Sequence, residues 1–444
     1  MLKIDEAEFM AATQATFKLG IKFENWRGID EEYMHAFGDT GKDCWAGGFQ
    51  HFWKKGLAKG YSEDYGKYCL EAVVAEQKKF THLPKQQQQF AYLPQKQPNH
   101  AYHLDAILYA KYLRKLSEKA GVTRIEGKIV SVNLNDDGFI TSLDMQSGQT
   151  IDGDLFIDCT DQKAVLIEGA MHTGYEDWSH WLACDSAVAV QTKNIKPASP
   201  YTRSIAFEAG WQWRIPLQSR MGNGIVYSSN YMTAEDAEKR LLDSVEGEVI
   251  TKPLHVKYNI GQRLKHWNKN CVAIGLASGF IEPLESTALH LIYTGITKLL
   301  TLFPNDGIRE SDIDQYNKQR KFEADRIRDF IILHYKVTNR DDSELWRHSR
   351  RMSIPDSLTQ KIEQFKGSGN VFYEGNELFT DSWQQVMVGQ GLVPETYHKI
   401  VDEMSDEDLK GFLQSLKNNV DKKASAMCAH EEYIAKYCQA PADC

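Results

Sequence analysis

The stretch KIVSVNLNDDGFITSLDMQSGQTIDGDLFIDC, residues 128–159, decides the fold class. Residues 128–132, 139–143 and 149–151 predict three short strands, because turn-forming residues separate these apolar and β-branched runs. A further apolar run over residues 154–159 is short enough for a buried strand. The stretch therefore predicts an antiparallel meander followed by a buried strand.

Helices are predicted on both sides of this stretch, where apolar residues recur at helical spacing. The predicted helices cover residues 103–120, 286–303, 321–335 and 405–423, and a second apolar strand covers residues 271–275. Helix, meander and buried strand in this order are common in FAD-binding oxidoreductases. The pattern predicts an α/β fold whose C-terminal part is mostly helical.

Composition excludes several function classes. The 444 residues carry a formal net charge of −9, which argues against a nucleic-acid scaffold because such proteins need a basic face. No run of eighteen apolar residues exists, so no membrane span is predicted. The eight cysteines form no CxxC pair, and no cysteine and histidine cluster has zinc spacing. These features predict a cytoplasmic protein with reduced thiols and no metal site.

Glu285 lies where a proline-containing loop enters a predicted helix. Ser286 or Thr287 is expected to cap this helix, because hydroxyl groups accept hydrogen bonds from first-turn N–H groups. Those N–H groups carry partial positive charge and form an anion site, so a carboxylate beside them is unusual. An ordinary helix cap with a solvated glutamate is the alternative that the residues leave open.

Trp211 and Trp213 lie two residues apart in the segment GWQWRIP, residues 210–216. Strand alternation places both on one face, where their flat surfaces suit stacking on a ring system. Packing in the hydrophobic core is the alternative, since large aromatic side chains are usually buried.

Lys18 is embedded in the apolar stretch FKLGI, residues 17–21. Apolar surroundings lower the pKa of a lysine, which then serves as a nucleophile or a hydrogen-bond donor. A surface lysine with its ammonium group in water is the alternative. The chain contains no GxGxxG turn, so the residues alone support an α/β enzyme and leave nucleotide binding open.

Three stretches together resemble the flavin-dependent halogenases of the tryptophan-halogenase family. Residues 210–216 match the family's GWxWxIP signature, which separates halogenases from related flavin monooxygenases. Residues 279–287, GFIEPLEST, match its second signature. Lys18 lies as the family's catalytic lysine does, ahead of the FENW segment at residues 23–26. The resemblance extends over nearly the whole chain.

The resemblance implies a Rossmann-like FAD-binding core over residues 1–303 and a mostly helical substrate-side region over residues 304–444. It also implies that the chain begins after the family's first βαβ unit. That unit would supply the glycine-rich turn that approaches the pyrophosphate, so we expect FAD affinity to fall severely without it.

The family's chemistry is implied as well. A separate flavin reductase would supply reduced FAD, and oxygen with bound chloride or bromide would yield hypohalous acid. Lys18 would hold this oxidant by a hydrogen bond or as a haloamine. Glu285 would polarise the oxidant and stabilise or deprotonate the cationic aromatic intermediate. Such electrophilic substitution requires an electron-rich substrate such as an indole.

Other site residues are carried over from the family position by position. They are Thr287 and Ala288 at the halide, Ile129, Leu276, Leu289, Trp211 and Trp213 at the flavin, and His35, Phe37 and Glu285 at the substrate. Ala288 and Asp161 stand where the family usually has glycine. Residues 383–387, WQQVM, do not reproduce the tyrosine-rich wall of enzymes acting on free tryptophan. We therefore expect an indole-like substrate other than free tryptophan.

Three hypotheses follow for the activity of the chain. The first is a flavin-dependent halogenase, which we favour. The second is a truncated, non-catalytic homologue that binds an indole-like ligand or a partner. The third is a flavin monooxygenase that hydroxylates its substrate. The sequence leaves open the preferred halide, the regiochemistry and whether the chain forms a homodimer.

Overall fold

The computed structural model describes residues 4–45, 47–82, 98–375, 377–380 and 382–441. The helices in these ranges are α1 (Glu6–Ala12), α2 (Phe49–Lys59), α3 (Leu70–Glu76), α4 (Ala106–Lys119), α5 (Ala234–Ser244), α6 (Ala288–Thr301), α7 (Glu310–Lys336), α8 (Glu344–Arg351), α9 (Asp356–Ser368), α10 (Ser382–Gly389), α11 (Asp406–Ser425) and α12 (His430–Tyr437). None of them is both long and apolar enough to cross a bilayer.

The strands of the described ranges form one large sheet and several small ones. They are β1 (Thr16–Lys18), β2 (Gly20–Glu24), β3 (Glu32–Ala36), β4 (Ala101–His103), β5 (Ile129–Leu134), β6 (Ile140–Met145), β7 (Thr150–Asp152), β8 (Phe156–Asp158), β9 (Tyr175–Asp177), β10 (Ser186–Lys193), β11 (Thr202–Phe207), β12 (Gly210–Pro216), β13 (Arg220–Tyr227), β14 (Leu254–Lys257), β15 (Gly261–Arg263), β16 (Trp267–Asn268), β17 (Cys271–Ala273) and β18 (Gly279–Phe280). The large sheet has the order β14-β10-β13-β12-β11-β2-β3, and its pairs are antiparallel except β11 with β2.

The predicted meander is confirmed. β5, β6 and β7 form an antiparallel sheet in which Leu143 lies opposite both Val132 and Ile151. β8 then pairs in parallel with β17, as expected for the nucleotide-binding core. The prediction that β8 is buried is wrong for Ile157, which is 49% exposed, because β8 is the edge strand of its sheet.

A sharp turn follows β8. Asp158 is fully buried, and its carboxylate accepts hydrogen bonds from the backbone N–H groups of Leu166 and Ile167. Asp161 has φ of +61°, in the left-handed region that favours glycine. The position at which the family usually has glycine therefore keeps the glycine-like backbone here, and aspartate is among the residues that tolerate it.

The C-terminal helices share one core with the large sheet. Phe330 from α7 and Trp383 from α10 are fully buried in the same cluster as Ile21 from β2 and Trp211 from β12. The helical character predicted after residue 304 is confirmed. The division of the chain at 303/304 stays a prediction, as does the absence of a first βαβ unit, while the α/β fold with a Rossmann-like core is confirmed.

Helix ends differ little from the predicted ones, with one exception. The helices predicted over residues 286–303 and 405–423 are α6 and α11. α7 begins eleven residues before the predicted start, because its first turns bury only Ile313, Tyr316 and Arg320. Such a narrow stripe gives weak periodicity in the sequence. The glutamine run at residues 86–89, whose low-complexity composition between prolines predicts a surface loop, lies outside the described residues.

Candidate active site

Lys18 is the last residue of β1, and its side chain lies inside the protein. The residue is only 3% exposed, so the surface-lysine alternative is wrong. Its Nζ donates a hydrogen bond to Ser286 Oγ at 2.9 Å and lies 5.3 Å from the centre of the Phe37 ring. Burial lowers the pKa of Lys18 to about 8, against the opposing attraction of the Glu285 carboxylate. At a pH near 8, the ammonium and the neutral amine of Lys18 are therefore present in similar amounts.

The turn before α6 brings Glu285 to this lysine. Residues Pro283–Glu285 form a single 3-10 turn, and Ser286 after it has φ of +59°. The expectation that Ser286 or Thr287 caps α6 through its side chain is wrong. Thr287 is the N-cap but makes no side-chain cap bond, and the Ser286 hydroxyl accepts from Lys18 instead. The first-turn N–H groups at Thr287 and Ala288 are therefore not satisfied by a cap, as an anion site requires.

Glu285 is a buried carboxylate held by two histidines. His35 Nδ1 lies 3.0 Å from each carboxylate oxygen, and His334 Nε2 lies 2.8 Å from Oε1. Burial by itself would raise the pKa of Glu285, but His35 and His334 outweigh it and lower the pKa to about 2. The solvated-cap alternative is therefore wrong, and the carboxylate stays ionised at neutral pH.

His334 was not identified from the sequence. It lies on α7 in a fully buried position, and its Nδ1 is 3.0 Å from the hydroxyl of Tyr33. Burial lowers the pKa of His334, so at neutral pH its Nε2–H faces Glu285 and its Nδ1 accepts from Tyr33. The only signal in the sequence is a histidine directly after the apolar run of residues 330–333.

The hairpin of β2 and β3 places the aromatic wall beside these groups. Gly20 lies so close to β3 that a Cβ atom there would be 2.4 Å from the carbonyl oxygen of His35. Just beyond β3, the backbone N–H of Phe37 donates to the carbonyl of Leu19, directly after Lys18. The His35 and Phe37 rings meet edge to face with their centres 6.0 Å apart. Among the described residues, the buried His35 Nε2 has no hydrogen-bond partner and remains available to a ligand.

Helix α10 supports this wall from behind. The side-chain oxygen of Gln385 accepts from the backbone N–H of Ala36, and its amide group donates to the carbonyl of Gly38. Trp383 is 1% exposed and packs edge to face on Phe330. The segment that departs from the tyrosine-rich pattern therefore positions His35 and Phe37 from outside.

Trp211 and Trp213 share one face as predicted, with ring centres 6.1 Å apart. Trp211 is only 2% exposed, and its Nε1–H donates to Glu282 Oε1, which also accepts from Tyr335 at 2.5 Å. Trp211 thus packs in the core, which was the alternative left open by the sequence, and its contact with the flavin stays a prediction. Trp211 also anchors the loop that carries Glu285. Trp213 is half-buried, and its flavin contact stays a prediction.

Glu282 gives a stability prediction. Burial raises its pKa from 4.5 to about 7, so folding favours the protonated carboxyl. Stability is therefore lost as pH rises from 4.5 through 7, by up to about 3 kcal/mol at 1.36 kcal/mol per pKa unit. The variant Glu282→Gln keeps an acceptor for Trp211 and Tyr335 without this charge. We expect the difference in urea midpoint between this variant and the original chain to shift in favour of the variant from pH 5 to pH 8. The same difference at both pH values would contradict the assignment.

Two of the residues expected at the flavin, Leu276 and Leu289, lie at the N-terminal end of α6. Leu276 and Leu289 are 39% and 49% exposed, and the 3-10 turn Gly275–Ala277 that carries Leu276 packs against α6. Ile129 packs at the edge of the cluster that contains Ala277. Exposed apolar side chains beside an uncapped helix N-terminus fit a flat ring system with an anion next to it.

The arrangement combines complementary groups in one place. A buried ammonium on β1 and a buried carboxylate in the turn before α6 lie close together, because Lys18 binds Ser286 and Glu285 directly precedes Ser286. An aromatic wall adjoins both groups. A donor, a base and a stacking surface together suit electrophilic chemistry on an aromatic ring.

Comparison with known proteins agrees with this geometry. A structure of Xcc4156, a flavin-dependent halogenase from Xanthomonas campestris, is similar with a TM-score of 0.95 and 49% identity, covering 99% of this chain and 87% of that one. BrvH, a flavin-dependent halogenase from Brevundimonas sp. BAL3, is similar with a TM-score of 0.93 and 39% identity, covering 99% and 89%.

Sequence comparison gives the same result. Tryptophan 6-halogenase SttH from Streptomyces toxytricini is 31% identical over 428 residues, which are 88% of this chain and 79% of that protein. The family profile described as tryptophan halogenase matches residues 1–406. The chain therefore belongs to the tryptophan-halogenase family of flavin-dependent halogenases.

Proposed function

We propose that this protein halogenates an indole-like aromatic substrate, with Lys18 and Glu285 acting on the substrate side of the site. The observation that carries the proposal is the hydrogen bond from Lys18 to Ser286, which holds a buried ammonium next to the ionised Glu285. His35 and Phe37 would supply the aromatic wall of the substrate pocket beside these charges.

Family membership implies use of FAD and a halide. Reduced FAD, when bound, supplies electrons to oxygen, and the halide is oxidised to hypohalous acid. A separate reductase would provide the reduced FAD. Leu276, Leu289 and Ile129 would contact the flavin, and Trp213 would lie toward it. Thr287 and Ala288 would offer backbone N–H groups to chloride or bromide at the start of α6. The methyl group of Ala288 leaves the backbone donors intact.

Lys18 would bind the oxidant through its ammonium group. At pH 7 Lys18 is protonated in most molecules, because its pKa is about 8. The protonated form donates hydrogen bonds. A bound hypohalous acid whose oxygen accepts from this ammonium becomes a stronger electrophile at the halogen. The aromatic carbon attacks the halogen, the halogen–oxygen bond breaks, and water leaves with a proton from Lys18.

This assignment predicts a pH dependence of coupling, defined as halogenated product per flavin oxidised. The ammonium is present below its pKa of about 8 and is lost above it, so we expect coupling to fall roughly tenfold between pH 7 and pH 9. Because both quantities are measured in the same reaction, a pH effect on flavin oxidation cancels in their ratio. A ratio that rises with pH would indicate the haloamine route instead.

Glu285 would act as the base. Its two histidine partners keep the carboxylate ionised, so it stabilises the positive charge on the ring and then accepts the ring proton. His35 also lies in the aromatic wall, where its unpartnered Nε2 is available to a polar group of the substrate. A substrate nitrogen such as an indole N–H fits this position.

The substrate is proposed to be an indole-like molecule other than free tryptophan. Gln385 and Trp383, which occupy the segment that differs from the tyrosine-rich pattern, are engaged with Ala36, Gly38 and Phe330. Both polar atoms of Gln385 are used in these bonds, so this side chain offers no free group to an amino-acid ammonium or carboxylate. A homodimer and a cytoplasmic location stay predictions.

Mass spectrometry of products tests the proposed function. The protein would be supplied with a flavin reductase, FAD and bromide, and with a panel containing indole, substituted indoles and free tryptophan. We expect singly brominated products from indoles and little from free tryptophan. A hydroxylated product that does not require bromide would identify a monooxygenase, and the absence of any product would favour a non-catalytic homologue.

A further inference from the structure

A second cluster of chemically active side chains lies behind β1, away from the site of Lys18. Glu6 from α1, His82 after α3 and His100 before β4 each offer one atom that can bind a metal ion, and these atoms all lie within 4.8 Å of one another. His100 Nε2 is 3.3 Å from Glu6 Oε1, and His82 Nε2 is 3.7 Å from Glu6 Oε2. The sequence predicted no metal site, because only folding brings these three residues together.

The hydrogen bonds of His100 determine which nitrogen faces the cluster. Its Nδ1 lies 2.9 Å from the carbonyl oxygen of Pro98, and a carbonyl oxygen only accepts, so Nδ1 carries a proton. In the neutral ring, Nε2 then directs a lone pair at the Glu6 carboxylate, which is repulsive unless a cation lies between them. Histidines that bind metals usually donate their other N–H to a carbonyl or carboxylate group in this way.

The spacing fits a tetrahedral ion. Zinc bonds to histidine nitrogen and carboxylate oxygen are about 2.0–2.2 Å long, so a tetrahedron holds its ligand atoms about 3.3–3.6 Å apart. His100 and His82 approach different oxygens of Glu6, at 3.3 Å and 3.7 Å, and one ligand atom from each of the three residues lies within 4.8 Å of the others. Small side-chain movements would bring these atoms onto one ion. Side-chain exposures of 28% for Glu6, 20% for His82 and 16% for His100 leave an entry path for an ion.

The surroundings also suit a metal ligand set. Tyr102 and Tyr437 donate hydrogen bonds to the two oxygens of Glu6, which orients the carboxylate and keeps it ionised.

We propose that Glu6, His82 and His100 form a binding site for one divalent transition-metal ion of the zinc type, with water as the fourth ligand. Nitrogen and oxygen donors in this ratio select zinc, nickel or copper over magnesium and calcium. The ion would join α1 to the chain before β4. The ring of Phe17 contacts both histidines, with centres 5.3 Å and 5.4 Å away, so the site also supports the strand that carries Lys18.

Metal titration of the full chain tests this site. The protein would be treated with a chelator, dialysed and titrated with Zn²⁺ by calorimetry. We expect one equivalent to bind, and the double variant His82→Ala/His100→Ala to bind more than ~100-fold more weakly, because two of three ligands are gone. The control is His255→Ala, since His255 pairs with Glu238 at 2.6 Å on the surface without a second histidine. Saturable binding that the double variant retains would overturn the proposal, as would no binding by the original chain.

Two further measurements separate the site from misfolding and from thiol binding. Glu6→Gln keeps the size of the side chain and an oxygen acceptor for one tyrosine, and we expect it to weaken Zn²⁺ binding at least ~10-fold while the circular dichroism spectrum is unchanged. Co²⁺ in place of Zn²⁺ should give the visible absorption of a tetrahedral nitrogen and oxygen site. A sulfur-to-cobalt charge-transfer band would assign the ion to cysteine and contradict the proposal.

Discussion

Lys18→Ala is expected to abolish halogenation while flavin oxidation continues. The lysine acts after the oxidant has formed, and its ammonium is the buried donor that Ser286 holds beside Glu285. Loss of such a positioned group should lower product formation roughly 10³-fold, within the range for general acid catalysis. Product by mass spectrometry and flavin oxidation by absorbance, recorded together, check the prediction.

The matched control is Lys22→Ala. Lys22 follows on β2, but its ammonium pairs with Glu32 at 2.7 Å near the surface, and it has no contact with the candidate site. We expect this variant to retain halogenation. If Lys18→Ala also halogenates at the original rate, then the role assigned to Lys18 is incorrect.

Glu285→Gln is expected to lower kcat roughly 10²-fold with little change in FAD affinity. The amide oxygen still accepts one hydrogen bond, but it neither takes the ring proton nor balances the positive charge of the intermediate. Because the carboxylate is fully buried and bound to His35 and His334, water does not readily replace it. Steady-state kinetics and a flavin fluorescence titration of the same preparation measure the two quantities.

Glu377→Gln serves as the control for loss of a buried carboxylate. Glu377 is 1% exposed at its side chain and pairs with Lys361 at 3.1 Å, apart from the candidate site. We expect reduced stability but nearly unchanged turnover. Equal losses of turnover in both variants would mean that Glu285 contributes to folding and not to chemistry.

The sequence was sufficient for elements whose pattern is local. The meander of β5 to β7 and the helix α6 were predicted within a few residues. Turn residues and helical periodicity are visible in short stretches of sequence. Exposure was harder to predict. Ile157 lies in an apolar run yet is 49% exposed, because its strand is at the edge of a sheet, and edge position depends on distant parts of the chain.

The candidate site was only partly predictable for the same reason. Lys18 and Glu285 were identified through resemblance, whereas His334 is joined to Glu285 only by the packing of α7 against the large sheet. Ser286 was expected to cap α6, but its left-handed backbone turns the hydroxyl toward Lys18. A hydroxyl side chain at the start of a helix can cap the helix or bond to a distant side chain, and local sequence does not distinguish these two outcomes.

Trp211 shows the limit of reasoning from residue type. Two tryptophans on one strand face suited either a ring-shaped ligand or the core, and Trp211 belongs to the core. Its N–H bond to Glu282 connects the two signature segments of the family. That connection explains how a buried tryptophan contributes to the placement of Glu285.

A scavenger experiment tests most directly whether Lys18 keeps the oxidant inside the protein until the substrate reacts. Halogenation of indole would be measured by mass spectrometry in bromide, with and without a large excess of free methionine, which consumes hypohalous acid in solution. The account predicts the same yield of bromoindole in both reactions, with little methionine sulfoxide formed. Loss of bromoindole to background, with methionine sulfoxide in its place, would show that the oxidant reacts in solution and would contradict the account.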